Sequence, residues 1–437
     1  MRGQPLLKLL AALAAAAILA VDASPAGRHV LRLPTAVTLA VGEPQAIALA
    51  LPGRVAVRVG GGSAPLLVDG QAPPPGWNLL PGRSLGLQPT APGTYTVRLR
   101  LFGFLPWRSV RVEAVMPPRL VPGGQAVGVL LRSRGPLVVG ETAVPGPAGP
   151  VRSPAAAAGI RVGDVLVAVD GRRVTSPAAV DEALGHGAPA GPVPVTVLRR
   201  GRQLRLWVRP AYDPADGRYH MGTWVRETTG GIGTLTFTSP AGAFGALGHV
   251  VLDPVAGVPV VLGAGRLVPS LIAGVDPSSG GHPGEKLGVL VPGAPSLGTV
   301  TANTPFGVFG LLTRQPTPGP VTQALAVALP DQVHPGPAEM LTVLHGGGVE
   351  GFAVRITAVL PQRRARLRGF LVRVTDPRLL RASGGIVQGM SGSPVLQGGR
   401  LVGAVTHVFV DAPTRGYGVL ALWMAQAAGL GAGAQAA

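Results

Sequence analysis

Ser391 is the residue of this sequence best placed to act as a nucleophile. It stands in the glycine-rich run Gly389–Pro394, which reads GMSGSP. A tight loop of this kind presents a hydroxyl beside backbone N–H groups that can bind an oxyanion, and those of Gly389 and Ser391 are the expected donors. The hydroxyl needs a base, and His249, at the end of the run FGALGH, can accept its proton. The two side chains together indicate acyl transfer at a peptide carbonyl.

Two other hydrolytic chemistries fit these residues less well. An α/β-hydrolase needs the pattern Gly-x-Ser-x-Gly, but Ser393 holds its fifth position, and His407, the only later histidine, lies in a strand-like run. A metal peptidase needs paired ligands at short spacing. His249 and Asp253 have such a spacing, but no third ligand is suggested and Pro254 opposes a helix that would hold both on one face. We therefore expect no metal and no cofactor.

The residues alone do not fix the acid that would orient the base. The carboxylates between His249 and Ser391 are Asp253, Asp276, Glu285, Asp331, Glu339, Glu350 and Asp376. Asp253 is too close in sequence to His249 for a useful geometry. Spacing does not choose among the others.

Composition indicates the fold that must bring these side chains together. At about 100 to 200 residues per domain, the 437 residues allow about three domains. Gly (66) and Pro (46) are abundant, but 46% of the residues are hydrophobic and 13% are charged, which excludes a disordered chain. Turn residues between short apolar runs indicate a mainly β protein. The order His then Ser, and the pattern Gly-x-Ser-Gly-x-Pro, match those of chymotrypsin-like double β-barrels.

Changes in composition and in the pattern of polar and apolar residues divide the chain into five segments. We expect a signal peptide or membrane anchor at 1–28, a β-sandwich-like domain at 29–116, a PDZ domain at 117–210, a double β-barrel peptidase domain at 211–429 and a tail at 430–437. The sandwich-like segment alternates polar and apolar residues, as in Gly93–Arg100. It carries no chemistry, so we interpret it as a scaffold or docking domain.

The run Ala157–Val174 resembles the PDZ signature, with a short helix ending in Ala-Gly-Ile, a Gly-Asp turn, an apolar strand and an Asp-Gly turn that tolerates positive φ. Ser176 is expected to cap a helix that begins at Pro177 and flanks the groove. A PDZ groove binds the C-terminus of a peptide as an added strand and holds its carboxylate in a backbone nest. That nest is predicted at Gly124, Gln125, Ala126, Val127 and Gly128, unless this loop is only a turn.

The N-terminus predicts export. Arg2 and Lys8 precede the apolar run Leu9–Val21, which is shorter than the ~20 residues of a membrane span but has the layout of a secretory signal. Cleavage after Ala23 and retention as a membrane anchor both remain open. The net charge of +18 does not predict nucleic-acid binding, because the arginines are scattered and lack interleaved aromatic residues that would stack on bases. The chain has no cysteine, which excludes disulfides and a thiolate nucleophile.

The chain resembles the stage IV sporulation protein B serine peptidases, which carry a PDZ domain and have a chymotrypsin-like catalytic apparatus. The resemblance covers about residues 118 to 428 and is most specific in the last 50. It is carried by the PDZ run and by Gly245–His249, Gly384–Pro394, Gly403–Val410 and Pro413–Gly418. It implies that His249 is the general base, Ser391 the nucleophile and Asp376 the acid.

The same resemblance implies a role in sporulation signalling. Such a peptidase is exported from the forespore into the space between the two sporulation membranes, where it cleaves itself and then a membrane-bound regulator. That cleavage releases an intramembrane protease, which processes a late mother-cell sigma factor. The PDZ domain would hold the enzyme's own N-terminal region or the tail of a partner. The alternative is a catalytically inactive PDZ adaptor that binds exported peptide tails.

Overall fold

The computed structural model describes residues 35–49, 54–81, 84–185, 191–291, 293–362 and 364–431. The predicted signal or anchor at 1–28 and most of the predicted tail lie outside these residues. The chain divides into two compact units, Met1–Pro117 and Pro118–Ala437. None of the described helices has the length and apolar character that a membrane crossing requires.

The N-terminal unit consists of two antiparallel-rich sheets around one core. Its strands are β1 Ala36–Ala40, β2 Gln45–Ala48, β3 Arg54–Gly61, β4 Leu66–Val68, β5 Asn78–Pro81, β6 Ser84–Pro89, β7 Gly93–Leu101 and β8 Leu105–Val115. One sheet has the order β1-β8-β7-β3-β5 and the other β2-β6-β4. Tyr95, Val97 and Leu99 point alternately inward from β7 into the core, as the sequence pattern predicts.

The second unit contains the remaining described elements. Its strands are β9 Arg119–Pro122, β10 Ala126–Glu141, β11 Val165–Val169, β12 Arg172–Arg173, β13 Val193–Arg199, β14 Arg202–Val208, β15 Ala211–Asp213, β16 Arg218–His220, β17 Thr223–Thr238, β18 Ala243–Ala246, β19 Leu262–Asp276, β20 Glu285–Leu290, β21 Gly298–Thr304, β22 Gly307–Leu312, β23 Leu325–Ala326, β24 Gly336–Thr342, β25 Glu350–Val359, β26 Phe370–Val374, β27 Pro394–Gln397, β28 Arg400–Val408 and β29 Arg415–Leu420. Its helices are α1 Pro154–Ala157, α2 Pro177–Leu184, α3 Pro377–Ser383 and α4 Ala421–Ala427, and a short 3₁₀ turn spans Pro330–Gln332.

The PDZ domain is built from β10 to β14 with the helices α1 and α2. Ser176 caps α2 by accepting a hydrogen bond from the N–H of Ala179 (3.2 Å), and Pro177 is its first residue, as predicted. Asp170 and Gly171 both have positive φ in the turn between β11 and β12, again as predicted. The start of α2 and the turn between β11 and β12 therefore follow from local capping and turn signals.

The peptidase part differs from two separate barrels in its first half. The strands β24-β25-β26-β29-β28-β27 form a closed barrel. Apart from the separate hairpin β15–β16, the earlier strands join those of the PDZ domain in a single 13-stranded sheet. Two strands of 16 residues each, β10 and β17, run from the PDZ domain into the peptidase part. They pair in two stretches, Ala126–Arg132 with Thr228–Thr234 and Leu137–Glu141 with Thr223–Arg226, separated by an irregularity. The fold is mainly β, with a PDZ domain and a peptidase domain that contains one closed six-stranded barrel among the described residues.

Candidate active site

His249 is positioned by a sharp turn after β18. Leu247 and Gly248 both have positive φ, of 69° and 71°, which reverses the chain immediately before the histidine. A Cβ at Gly248 would lie 2.8 Å from the Thr406 side chain, so the turn packs closely against β28 and requires glycine. The imidazole Nδ1 lies 2.9 Å from the carbonyl oxygen of Val250. Because a carbonyl only accepts, Nδ1 carries the proton and Nε2 holds the lone pair of a general base.

The surroundings of His249 favour its neutral form. Burial lowers the pKa of His249 below its ordinary value, and the hydrogen bond to Val250 opposes this only in part. A base that is neutral at lower pH keeps its lone pair available near neutrality. The ring is therefore ready to accept a proton.

Ser391 lies in a loop that is held by its carbonyl groups. Thr234 in β17 donates its N–H to the Ser391 carbonyl (3.0 Å) and its hydroxyl to the Gly389 carbonyl (2.8 Å). Thr236 donates its hydroxyl to the carbonyl of Gly392 (2.8 Å). Gly389 and Gly392 have φ of 86° and 95°, which a side chain would strain. These contacts turn the carbonyl groups toward β17.

The N–H groups of the same loop are free at two positions. The N–H groups of Met390, Gly392 and Ser393 donate to backbone carbonyls. Within the part of the chain that the structure describes, no acceptor takes the N–H of Gly389 or of Ser391. These are the two donors that the sequence predicts for an oxyanion pocket.

His249 and Ser391 line one cavity of about 770 Å³, together with Gly389, Lys286 and His407. The rings of His249 and His407 are 5.6 Å apart between centroids. The Ser391 hydroxyl donates to the Thr406 carbonyl (2.9 Å), so it must turn away from that carbonyl to give its proton to His249. The predicted nucleophile and base thus share a cavity, although the hydroxyl is bonded to the main chain.

Comparison with known proteins shows which family the peptidase part of the chain matches. Residues 217–425 match the family model described as SpoIVB peptidase S55, and residues 150–199 match a PDZ domain model. The peptidase part of the chain belongs to the SpoIVB peptidase S55 family. The protein is a serine peptidase.

Among solved structures, the Rv3671c protease from M. tuberculosis in its active form is similar, at 15% identity and a TM-score of 0.28, over 47% of this chain and 76% of that chain. An inactive mutant form of the same protease is similar at 16% identity and a TM-score of 0.26, over 47% of this chain and 83% of that chain. No curated protein matches the chain.

Asp376 does not join the other two predicted catalytic residues of this S55 peptidase. It is the N-cap of α3, where its carboxylate accepts from the N–H groups of Arg378 (2.8 Å) and Ala353 (3.2 Å). The Arg378 guanidinium pairs with it at 3.1 Å, and this hydrogen bonding lowers the pKa of Asp376 to about 2. An Asp before Pro at a helix start is a strong capping signal. With these contacts Asp376 is not among the residues that line the cavity, and the role of acid that the family resemblance implies for it stays a prediction.

No carboxylate replaces Asp376 beside the histidine among the described residues, where the Nδ1 partner of His249 is the Val250 carbonyl. Asp253 is fully buried, but it accepts the N–H groups of Val255 (3.0 Å) and Ala256 (2.8 Å) in its own turn. The backbone therefore orients the ring of His249 in this structure.

Lys286 is a cavity residue of the S55 peptidase that sequence reasoning missed. It is 5% exposed, and its ammonium group donates to the Thr342 hydroxyl (2.7 Å), which also accepts from Ser393 (3.0 Å). Burial lowers the pKa of Lys286 to about 7. A Cβ at Gly389 would lie 3.1 Å from the Lys286 Cβ. The aliphatic part of the lysine side chain therefore packs against the loop Gly389–Ser391, which we call the oxyanion loop after its predicted role. The one sequence signal was scarcity, since only two of 38 basic residues are lysines.

Part of the predicted PDZ carboxylate nest lies in a strand that is paired on both edges. Residues Ala126 to Gly128 belong to β10 and pair with β17 on one edge, while Val127 and Gly128 pair with β19 on the other. The Gln125 amide donates to the Thr317 carbonyl (2.7 Å), and a Cβ at Gly124 would contact Val349 and Leu341 of the peptidase part. Both strand edges are occupied at Val127 and Gly128, so no peptide can add as a strand there. Gly124, Gln125 and Ala126 are joined to β17 by backbone pairing.

One group of side chains in the described residues has a geometry that could hold a metal. Single ligand atoms of Asp213, Asp216 and His220 lie within 4.8 Å of one another in the hairpin β15–β16. His220 and Asp216 share a hydrogen bond of 2.7 Å, and both are partly exposed. That bond explains their closeness, so we assign no ion to them.

Proposed function

We propose that this serine peptidase is an endopeptidase that hydrolyses protein substrates through an acyl-enzyme at Ser391. The observation that supports it best is the pair of unbonded N–H groups at Gly389 and Ser391, in the cavity that also holds His249. Two such donors on the loop that carries a nucleophilic hydroxyl would bind the oxyanion of a tetrahedral intermediate.

In the proposed mechanism, His249 Nε2 takes the proton of the Ser391 hydroxyl as the oxygen attacks the peptide carbonyl. The carbonyl oxygen becomes an anion and accepts the N–H groups of Gly389 and Ser391. Loss of one such donor typically costs about 3 to 4 kcal/mol of barrier. His249 then gives its proton to the leaving amine, and a water molecule hydrolyses the acyl-enzyme by the same route.

The Val250 carbonyl has the role that an acid has in a Ser-His-Asp triad. It accepts the Nδ1 proton of His249 at 2.9 Å and so holds the tautomer in which Nε2 is the base. A neutral carbonyl stabilises the imidazolium less than a carboxylate does. The proposed enzyme is therefore slower than a complete triad would allow.

The biological role proposed for this activity is sporulation signalling. The S55 family match over residues 217–425 and the signal-like sequence of the N-terminus support it. In this proposal the protein is exported, and is membrane-anchored or secreted into the space between the forespore and mother-cell membranes. It cleaves its own N-terminal region and then a membrane-bound regulator of an intramembrane protease, which leads to processing of a late mother-cell sigma factor.

Cleavage by the purified protein tests the proposal. Ser391→Ala should abolish self-cleavage and the cleavage of an unfolded protein such as casein, because no other hydroxyl is expected to replace the nucleophile. Ser279→Ala, in an exposed turn, is the matched control and should cleave at the wild-type rate. Cleavage by Ser391→Ala at the control rate would exclude the mechanism. Absence of cleavage by the folded wild-type and Ser279→Ala proteins would instead favour the inactive PDZ adaptor.

A further inference from the structure

The PDZ groove of this protein is defined by two elements. We use the term for the space between α2 and the part of β10 from Leu137 to Glu141. Val180 and Leu184 of α2 are buried in the same core as Val138 of β10. A PDZ domain binds an extended peptide as an additional strand beside such a helix. The edge of β10 that faces away from β11 in this region is therefore the expected binding edge.

That edge already carries a strand of the same chain. Leu137 pairs with Arg226, Val138 with Val225, Gly140 with Trp224, and Glu141 with Thr223, all antiparallel. The opposite edge of β10 pairs with β11 at Leu137. The first residues of β17 thus occupy the position that a bound peptide would take.

The contacts of these residues are those of a groove ligand. The Val225 side chain packs against the PDZ core that contains Val138 and Val180. A cavity of about 450 Å³ remains beside the segment and is lined by α2 and by Thr223, Trp224 and Val225. The groove is thus shared between the helix and the internal strand.

The same strand continues from the groove to the active site. Beyond Arg226, residues Thr229 to Ile232 line the cavity that contains Ser391. Thr234 then holds the carbonyl groups of Ser391 and Gly389 by two hydrogen bonds. At about 3.3 Å per residue, one continuous strand connects the PDZ groove with the oxyanion loop.

We propose that the segment Thr223–Arg226 is the resident ligand of the PDZ groove, and that its binding there holds β17 in the register that positions the Gly389–Ser391 loop. The groove accordingly recognises an internal extended strand. A free C-terminus cannot be accommodated alongside it, because β17 passes through the point where a terminal carboxylate would sit and continues into the peptidase. A partner tail enters the groove only by displacing Thr223–Arg226, and in doing so it loosens the active site.

A designed disulfide tests the occupancy independently of catalysis. The chain contains no cysteine, so Glu141→Cys with Thr223→Cys introduces a single possible pair. Opposed residues in antiparallel strands have Cβ atoms about 4.5–5.5 Å apart, near the range of about 3.5–4.5 Å that a disulfide needs. The pair should oxidise in the folded protein. The mismatched control Glu141→Cys with Thr228→Cys should not, because Thr228 pairs with Arg132. Equal oxidation of both pairs, or of neither, would overturn the proposal.

A peptide-binding assay tests the exclusion of external ligands. The probe is a fluorescein-labelled peptide with the sequence of residues 221–228. It should bind Val225→Asp, in which a buried charge expels the segment, and should not bind the wild-type chain or the conservative control Val225→Ile. Equal affinity for wild type and Val225→Asp would show that the groove is open.

The coupling to the active site is tested by rescue, and this arm alone rests on the proposed function. Val225→Asp should react with a fluorophosphonate at Ser391 at least about tenfold more slowly, since small displacements of catalytic groups have effects of this size. Adding the cysteine pair and oxidising it should restore the rate to within about threefold, and reduction should reverse this. An unfolded variant would not be rescued by oxidation. Wild-type reactivity in a Val225→Asp protein that binds the probe would exclude the coupling.

If wild type itself is not labelled, the proposed function fails while the disulfide and peptide results still decide the occupancy.

Discussion

The polar groups in the active-site cavity have fewer hydrogen-bond partners than the carboxylate at the N-terminus of α3. At α3, the Asp376 carboxylate receives hydrogen bonds from two backbone N–H groups and from the Arg378 guanidinium. In the cavity, two N–H groups of the Ser391 loop have no described acceptor, and the buried Lys286 ammonium has one described partner. Saturated groups stabilise a fold, whereas groups left short of partners are available to bind a transition state. The difference separates the residues proposed to be catalytic from the residues that cap a helix.

Removal of the proposed base, His249, should have the largest effect on kcat. His249→Gln keeps a polar side chain but cannot accept the Ser391 proton, so we expect kcat to fall by about 10⁴-fold or more. Peptide cleavage by purified protein measures it, with His282→Gln on an exposed loop as the control. A loss smaller than about tenfold would place the base elsewhere in the cavity.

Replacement of the buried lysine should change stability in a pH-dependent way. The folded-state pKa of Lys286 is lowered from 10.5 to about 7, so the unfolded chain binds more protons between these values and stability rises with pH across that window. Lys286→Met removes the penalty, which is complete below pH 7, and should stabilise the protein at pH 6 by on the order of 5 kcal/mol. Urea unfolding at pH 6 and pH 9.5 measures it. Parallel stability curves for the two proteins would mean that the amine is solvated.

Weakening the contact between β17 and the oxyanion loop should have an intermediate effect. Thr234→Val keeps the shape of the side chain but removes the hydroxyl that donates to the Gly389 carbonyl. We expect kcat to fall by about tenfold with little change in KM, because the loop acts on the transition state. Steady-state kinetics measure the two constants. A change confined to KM would mean that the loop serves substrate binding.

Replacement of Asp376, the N-cap of α3, should have the smallest effect on turnover. Asp376→Asn leaves a good N-cap residue but removes the charge that pairs with Arg378, so we expect the unfolding free energy to fall by about 1 kcal/mol. Turnover should stay within about threefold of wild type. A loss of turnover near 10⁴-fold, as for the acid of a complete triad, would show that Asp376 reaches His249 during the reaction.

Local signals in the sequence predicted much of this structure. The cap at Ser176, the Asp170-Gly171 turn and the alternating strand Gly93–Leu101 depend on neighbouring residues and follow the predictions. Ser391 and His249, which were singled out from their glycine-rich surroundings in the sequence, line the same cavity, and their catalytic roles stay a prediction.

Features that depend on long-range pairing were not predictable. Gly124 to Gly128 resembled a peptide-binding loop, but whether β10 had a free edge depended on two strands much later in the chain, β17 and β19. Asp376 had the triad position of the family, and only the structure shows Arg378 and Ala353 holding it at α3. Lys286 carries no motif, because its burial arises from the packing of β20 against the oxyanion loop.

The site of covalent modification by a fluorophosphonate tests the central claim most directly. Peptide mass spectrometry of the labelled wild-type protein should find one adduct, on Ser391, and none in His249→Gln treated in the same way. An adduct on another serine, or no adduct on a folded wild-type protein, would contradict the assignment of Ser391 and His249 as the catalytic pair.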